Sequence, residues 1–448
     1  MRAKTQSVTN RLPGYEVQAV PQTRSAHRSV SGIAGAKNAS SSQMVVAANS
    51  GDHPLLLKFL TQLQVVRQSE FQQTADCPSY EPSQRLIIRN RGEIIGHIRI
   101  VPRELRFGVS TISSYHLTEL CVLPEFRQAG AMRLLLAAVR QRAASNRIAL
   151  ITSDSNRPEI LRRMGWARIP TGTNVTTSPH SLLASLEEMN EAGGETQWKD
   201  RYEVRPLRFV DQPSMAELYS ETASRHFGMA ERSQEDWLWL MGRRGFDRAF
   251  VAFEPFTESI LGYCLLRANQ VVELVADAQH PLAMLPLLRR SAADVLERGV
   301  HSIAILADSA PDLELEGFRS VDIGVSIAAC VPSPYDFMKL MKAELGAQAL
   351  RRGATPESTI GLVSGTEALS LEVTKSKLRL KRNAQVRSRI QVSPSMMTKL
   401  ALGSVEVNAN HDAEELSATT KTASDVASRI FAKRRFVQMP LENLPTLE

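Results

Sequence analysis

The sequence predicts an α/β (α+β) architecture: two tandem mixed-sheet domains followed by a smaller α+β domain. Three observations carry this. From Met44 to Trp166, short branched-apolar runs alternate with segments of helical period. The same element order returns from Tyr202 to Cys330. After Pro332-Ser333-Pro334 the order changes to a helix, then strands, then helices. The expected parts are a disordered basic tail at 1–42 and domains at 43–190, 200–331 and 335–448.

Composition limits the function classes. The chain has 448 residues, 43% hydrophobic and 23% charged, as in an ordinary soluble protein. No apolar run reaches the roughly 18–20 residues that span a bilayer, so no membrane partner is expected. The net charge of +7 sits mostly at the start. Residues 1–50 hold six basic residues against one acidic, or +5; the rest has 48 against 46, or +2. A folded nucleic-acid face is therefore not expected. The tail lacks an apolar signal core, and Pro13, Gly14, Pro21 and Gly32 interrupt any targeting helix. Cys77, Cys121, Cys264 and Cys330 lie far apart without a CxxC pair. That speaks against a metal site or a disulfide framework and for a reducing, cytoplasmic setting.

In the first domain, MVVAA at Met44 reads as a short strand, and Leu55, Leu56, Phe59, Leu60, Leu63 and Val66 mark a helix. RLIIRN and EIIGHIRIV, joined through Arg91-Gly92, read as a hairpin. The stretch from Tyr115 to Ala144 organises the domain. LTELCVLP is a strand stopped by Pro124, RQAG is a basic turn, and Met132, Leu135, Leu136 and Val139 define an amphipathic helix. A strand that feeds a helix through such a turn aims free backbone N–H groups at one point, which suits a pyrophosphate. A surface turn is the plainer reading of the same residues. RIALITSD is the next strand, RPEILRRM a short helix closed by Gly165, and Trp166 opens the last strand.

From Glu187 to Asp200 the chain turns polar and reads as a linker. The second domain then runs YEVRPL, two helices ending at Met241, a hairpin of DRAFVAF and SILGYCLLR, and the strand NQVVELVAD. A helix closed by Gly299, the strand HSIAILAD, a turn at 312–316 and the strand FRSVDIGVSIAAC complete it. Where the phosphate turn should recur stands Gln279-His280-Pro281-Leu282-Ala283-Met284, with no glycine or arginine and a proline lacking an N–H. This domain is expected to be non-catalytic. In the last domain, strands fall near STIGLVS and EALSLEVTKSKLRLKR. Helices at SPSMMTKLAL and ASDVASRIFAK follow, and a loop through His411 separates them.

With these elements in place, the chain resembles the GCN5-related N-acetyltransferase (GNAT) superfamily. LTELCVLP, the loop Arg127-Gln128-Ala129-Gly130-Ala131-Met132 and the closing Gly165-Trp166 carry the resemblance. Met132 stands where the superfamily pattern has Gly or Ala. An R-x-x-G-x-[Leu/Met]-Arg loop resembles the enhanced-intracellular-survival (Eis) type, which joins two GNAT domains to a sterol-carrier-protein-like domain. The resemblance implies acetyl-CoA as co-substrate. Its pantetheine would pair with Leu120, Cys121 and Val122. Its pyrophosphate would lie on Gln128, Ala129, Gly130, Ala131, Met132 and Arg133, with Arg127 beside it. Asn156 and Arg157 would touch it from the far side.

The implied acceptor is a primary amine, in a small molecule or on lysine, and the implied assembly is a homo-oligomer. The family's proton donor, a tyrosine four residues before the closing glycine, is replaced by Leu161. Proton acceptors are the terminal carboxylate of Glu448, by resemblance, and Glu119, which otherwise reads as a salt-bridged strand residue. His116 reads as structural. The alternative to an acetyltransferase is a CoA- or hydrophobic-ligand-binding protein that has lost turnover.

Overall fold

The computed structural model describes residues 44–444 apart from 128–129, 155–157, 193–197, 200, 244, 307, 311–320, 384–385 and 408–413. The basic tail, Gln128, Ala129, Asn156, Arg157, the turn at 312–316, His411 and Glu448 lie outside the described residues.

The first part comprises β1 (Met44–Ala47), α1 (His53–Gln62), α2 (Gln68–Ala75), β2 (Arg85–Asn90), β3 (Glu93–Phe107), β4 (Ser110–Val122), α3 (Ala131–Ser145), β5 (Leu150–Ser153), α4 (Pro158–Arg163), β6 (Ala167–Thr177) and α5 (Pro179–Ala192). The second comprises β7 (Glu203–Pro206), α6 (Gln212–Arg225), β8 (Phe227–Ala230), α7 (Gln234–Gly242), β9 (Arg248–Phe253), β10 (Ile260–Arg267), β11 (Gln270–Ala276), α8 (Met284–Glu297), β12 (Ile303–Ile305) and β13 (Val321–Cys330). The third comprises α9 (Pro334–Arg351), β14 (Thr359–Ser364), β15 (Glu367–Val373), β16 (Leu378–Arg382), β17 (Arg389–Val392), α10 (Pro394–Ala401), β18 (Leu416–Ala418) and α11 (Lys421–Ile430). A final 3-10 turn, Pro440–Asn443, follows.

Local chemistry accounts for the turns that set the site. Arg91 (φ 51°) and Gly92 (φ 90°) are both left-handed, as a two-residue hairpin between twisted strands requires. β3 runs through Pro102 because Pro102 lies between two partners on that edge. Pairing with β2 ends at Arg99, and pairing with β8 begins at Leu105. α4 closes as the sequence predicts, with Gly165 at φ 81° and the Trp166 N–H donating to the Leu161 carbonyl at 3.1 Å.

The expected linker starts too early. α5 continues through Ala192 because Leu182, Leu186 and Asn190 recur every fourth residue and are buried. Leu182 and Leu186 share a core with Leu285 and Leu288 of α8. Asn190 Oδ1 accepts from the N–H groups of Trp198 (3.2 Å) and Lys199 (3.3 Å). Glu188 and Glu191, which make the stretch look like a linker, are simply its exposed face. The strands β8, β17 and β18, three or four residues each, are additions to the sequence reading. β18 follows α10, so the third part does not keep all its strands early.

The first two parts share one sheet, in the order β1-β2-β3-β4-β5-β13-β6-β12-β11-β10-β9-β7. The last strands are exchanged. β13, from the second part, pairs with β5 of the first. β6, from the first part, pairs with β12 of the second. β13 and β6 lie antiparallel between them, from Val321–Thr176 to Ala329–Ala167. The third part is a five-stranded sheet, β16-β15-β14-β17-β18. It joins the larger body through Phe107 on β3, whose ring lies 5.2 Å from Phe227, 6.1 Å from Phe337 and 6.0 Å from Phe436.

Candidate active site

The site begins where two parallel strands part. β4 pairs with β5 from Ser114–Leu150 to Leu117–Ser153, the last pair among the described residues. β4 continues to Val122. Its far edge follows β3 with a slip: Arg99 faces Thr118 and His97 faces Cys121. Two residues, Glu119 and Leu120, therefore oppose the single Ile98, which is a β-bulge. Glu119 takes φ 55°, costly for a residue with a Cβ and typical of bulges and functional corners. On its other side β4 has no β5 partner past Leu117 among the described residues, so that edge of 118–122 is available to a ligand's amides. Leu120, Cys121 and Val122 all lie on this stretch.

The chain then enters α3 through Gly130, at φ 79°. A Cβ there would meet nothing within 4 Å, so conformation and not space favours glycine. No described side chain caps α3. The N–H groups of Ala131, Met132 and Arg133 thus have no helical partner, and the first bond of the helix runs from Leu134 N–H to the Gly130 carbonyl at 3.1 Å. Ala131 and Met132 are buried and Arg133 is exposed. Arg127 is exposed and donates from Nε to the Val122 carbonyl at 3.2 Å. The bulged end of β4 and the N-terminus of α3 therefore lie close along the chain, with the exposed Arg127 and Arg133 on either side of the turn.

Glu119 is an ion-pair partner. Its carboxylate meets the Arg85 guanidinium directly and Arg99 Nη1 at 3.4 Å. Burial pushes this carboxyl up, but Arg85, His97 and Arg99 outweigh it and hold it below the ordinary value. Arg85 is fully buried, lies 4.5 Å over the Phe71 ring and bonds Tyr80 Oη at 3.1 Å. Because arginine can only donate, His97 Nε2, 3.3 Å from Arg85 Nη1, is the accepting nitrogen. Its Nδ1–H then donates to the Glu119 carbonyl at 3.1 Å. Burial lowers this neutral histidine to about 4.

A second polar pair sits at the fork itself. His116 is fully buried on β4, with Nδ1 3.0 Å from Thr152 Oγ1 and Nε2 3.2 Å from Asp154 Oδ2. Burial lowers the imidazole, against the pull of Asp154. Asp154 follows the last paired residue of β5 and is 45% exposed. Burial pushes its carboxyl up, but His116 and Arg103 outweigh that and hold it low. The sequence reading did not single out Asp154; only its place at the end of a strand beside the phosphate turn could have flagged it. Leu161 is buried in the core with Trp166, so no hydroxyl stands at that point.

The end of the chain is drawn to the same place. Arg243 donates to the Leu441 carbonyl, and Arg232 meets Glu442 at 2.7 Å. Arg103 on β3 donates to Asn443 Oδ1 at 2.7 Å. In the second part, among the described residues, β11 pairs with β12 at Gln270–Ala304 and Val271–Ile305. Val437, Met439 and Leu441 are buried in the cluster that includes Val272 and Val275 beyond that fork. Its helix α8 is led in by a 3-10 turn over Pro281–Ala283.

Comparison with known proteins agrees with this geometry. Residues 48–169 match the family model described as an acetyltransferase (GNAT) domain. No curated protein matches the chain in sequence. Among solved structures, a GCN5-related N-acetyltransferase from Anabaena variabilis superposes with a TM-score of 0.68 at 14% identity, covering 89% of this chain and 99% of that one. One from Kribbella flavida gives 0.66 at 13%, over 89% and 99%. Eis1 from Mycobacterium abscessus gives 0.59 at 15%, over 88% and 99%. At these identities the likeness is one of fold, and it extends over nearly the whole described chain. The match to a GNAT acetyltransferase domain thus lies over residues 48–169, the part that carries β4 and α3. Among the described residues no helix is long and apolar enough to cross a membrane, and no cluster of metal-ligating side chains occurs.

Proposed function

We propose that the protein is an acetyl-CoA-dependent N-acetyltransferase acting on a primary amine, of a small molecule or of lysine. The observation that carries the reading is the bulged end of β4, past its last pair with β5, running into the uncapped N-terminus of α3. The pantetheine amides pair with Leu120, Cys121 and Val122, and the pyrophosphate takes the N–H groups at Gly130, Ala131, Met132 and Arg133. Glu119 serves structure, with Arg85 and Arg99. The domain at 43–190 holds the cofactor, the one at 200–331 has lost that capacity, and the one at 335–448 is the sterol-carrier-like unit. Support for a single cofactor site comes from Pro281 and from the apolar side chains at Val437, Met439 and Leu441 beside the second fork. Burial of Leu161 favours a second reading, a CoA-binding protein without turnover. Thiol release from acetyl-CoA across a panel of amines tests the two, with calorimetric binding of CoA alongside. Turnover that disappears in Gly130→Asp supports the transferase. Saturable CoA binding with no turnover on any amine supports the binding protein.

A further inference from the structure

The acetyltransferase reading leaves one step without a residue. When the tetrahedral intermediate forms, the attacking nitrogen carries a proton it must lose, and the departing sulfur needs one. Leu161 offers none, and Glu119 is committed to two arginines.

We propose that Asp154 carries this proton from nitrogen to sulfur, with His116 as the positioning residue that holds its carboxylate at the fork between β4 and β5. The inference rests on the transferase reading and adds a residue to it. Three observations place Asp154 there. It directly follows Ser153, whose partner Leu117 is the last before the strands part. It is half exposed, while its neighbours Thr152 and Ser153 are buried. And the Nε2 of a fully buried histidine on the opposite strand lies 3.2 Å from its oxygen. With Thr152 Oγ1–H donating to Nδ1, Nε2 is the protonated nitrogen; Asp154 Oδ2, 3.2 Å away, is the carboxylate beside it, and the N–H has no other partner among the described residues. The charges facing the pair are Arg103 and Arg99 from β3, and Arg103 in turn bonds Asn443.

The step balances. The neutral amine attacks the thioester carbon, the N–C bond forms and the carbonyl electrons move to oxygen. The cationic nitrogen gives its proton to Asp154 Oδ. The carbonyl re-forms, the C–S bond breaks, and the thiolate takes that proton from the carboxylic acid. A carboxylic acid is several units more acidic than a thiol near 8.5, so the second transfer is downhill. A carboxylate that stays ionised at neutral pH is ready for each new cycle.

The test uses the full-length protein with acetyl-CoA and an amine that wild type acetylates. Asp154→Asn should lower kcat about 100-fold or more while CoA affinity and melting temperature stay near wild type. His116→Gln should lower kcat less, about tenfold. It should also move the acidic limb of the kcat profile to higher pH, because the N–H that stabilises the carboxylate is weakened. A merely structural histidine would not move that limb. Asp154→Asn within threefold of wild-type kcat, or His116→Gln with an unmoved acidic limb, overturns the proposal. Wild type that binds CoA but acetylates no amine fails at the earlier reading and takes this one with it, and is told apart because no variant is then needed.

Discussion

Leu117 and Ser153 form the last pair between β4 and β5, and Asp154 stands one residue past it, so the fork and its acid are set by the same register. Shifting β4 by one residue would send His116 to the opposite face, and shifting β5 would do the same to Asp154; either separates the pair. Parallel pairing over only four residue pairs is a weak specification by itself. The strand on the far side of β5 reinforces it: β13 pairs with Ile151, Thr152 and Ser153 in turn. The site in the first part therefore depends on a strand contributed by the second.

Gly130 separates binding from stability. Its φ of 79° disfavours any side chain, and the space around it is open. Gly130→Ala should cost about 1 kcal/mol in chemical denaturation, from backbone strain alone. Its affinity for CoA should fall only a few-fold. Gly130→Asp adds a negative charge at the helix N-terminus and should weaken CoA binding at least tenfold by calorimetry, at a similar stability cost. Equal affinity for the two variants would mean that phosphates do not lie there.

Stability should fall in acid in two windows. His97 is neutral in the fold, with a pKa of about 4 against 6.5 for the free residue. The unfolded chain therefore binds this proton first. The contribution is complete above about 6.5 and is lost as pH falls toward 4, by something on the order of 3 kcal/mol. Glu119 acts lower. Its carboxyl is held below the usual 4.5, so its contribution is present above 4.5 and disappears as pH drops through its folded value. Urea midpoints measured from pH 8 to 3 should decline through the first window, and His97→Gln should flatten that part. An unchanged slope in the variant would assign the loss elsewhere.

Much of this was legible in the residues. Gly130, the strand before it and the helix after it declare themselves by composition and period, and the hairpin by Asn90-Arg91-Gly92-Glu93 between two apolar runs. The bulge was less visible, although a glutamate inside an apolar strand was its trace. The pairing of His116 with Asp154 was not legible, because a sequence gives strands but not their neighbours or register. The exchange of β6 and β13 was hidden for the same reason: each looks identical whichever sheet it joins. The closing stretch held a readable signal, since the apolar Val437, Met439 and Leu441 alternate with polar or proline residues and are buried.

The exchanged strands predict that the first part will not fold alone. A fragment of residues 44–192 retains β6 but loses both of its neighbours, β13 and β12. It also leaves β5 an open edge. Expressed by itself it should be aggregated or unfolded by circular dichroism and gel filtration. Co-expression with 201–448 should restore a soluble 1:1 complex. A monomeric, cooperatively melting fragment would show that the central β6–β13 ladder is dispensable.

Arg232 makes an uneven pair of predictions. It is 2% exposed, lies 3.7 Å over the Tyr219 ring and 4.6 Å over Trp237, and bonds both oxygens of Glu273, at 2.8 and 2.6 Å. Glu442 reaches it from the chain terminus. Tyr263 Oη also donates to Glu273 Oε1, at 2.7 Å. Glu442→Gln leaves the Glu273 fork intact and should cost about 1–2 kcal/mol, loosening the terminal turn more than the sheet. Glu273→Gln removes the charge that compensates a buried guanidinium at its two best hydrogen bonds, and should cost about 3–5 kcal/mol. Urea denaturation of the two single variants measures the difference. Equal costs would mean that Glu442 shares the counter-ion role with Glu273, and a larger cost for Glu442→Gln would make Glu442 the principal counter-ion.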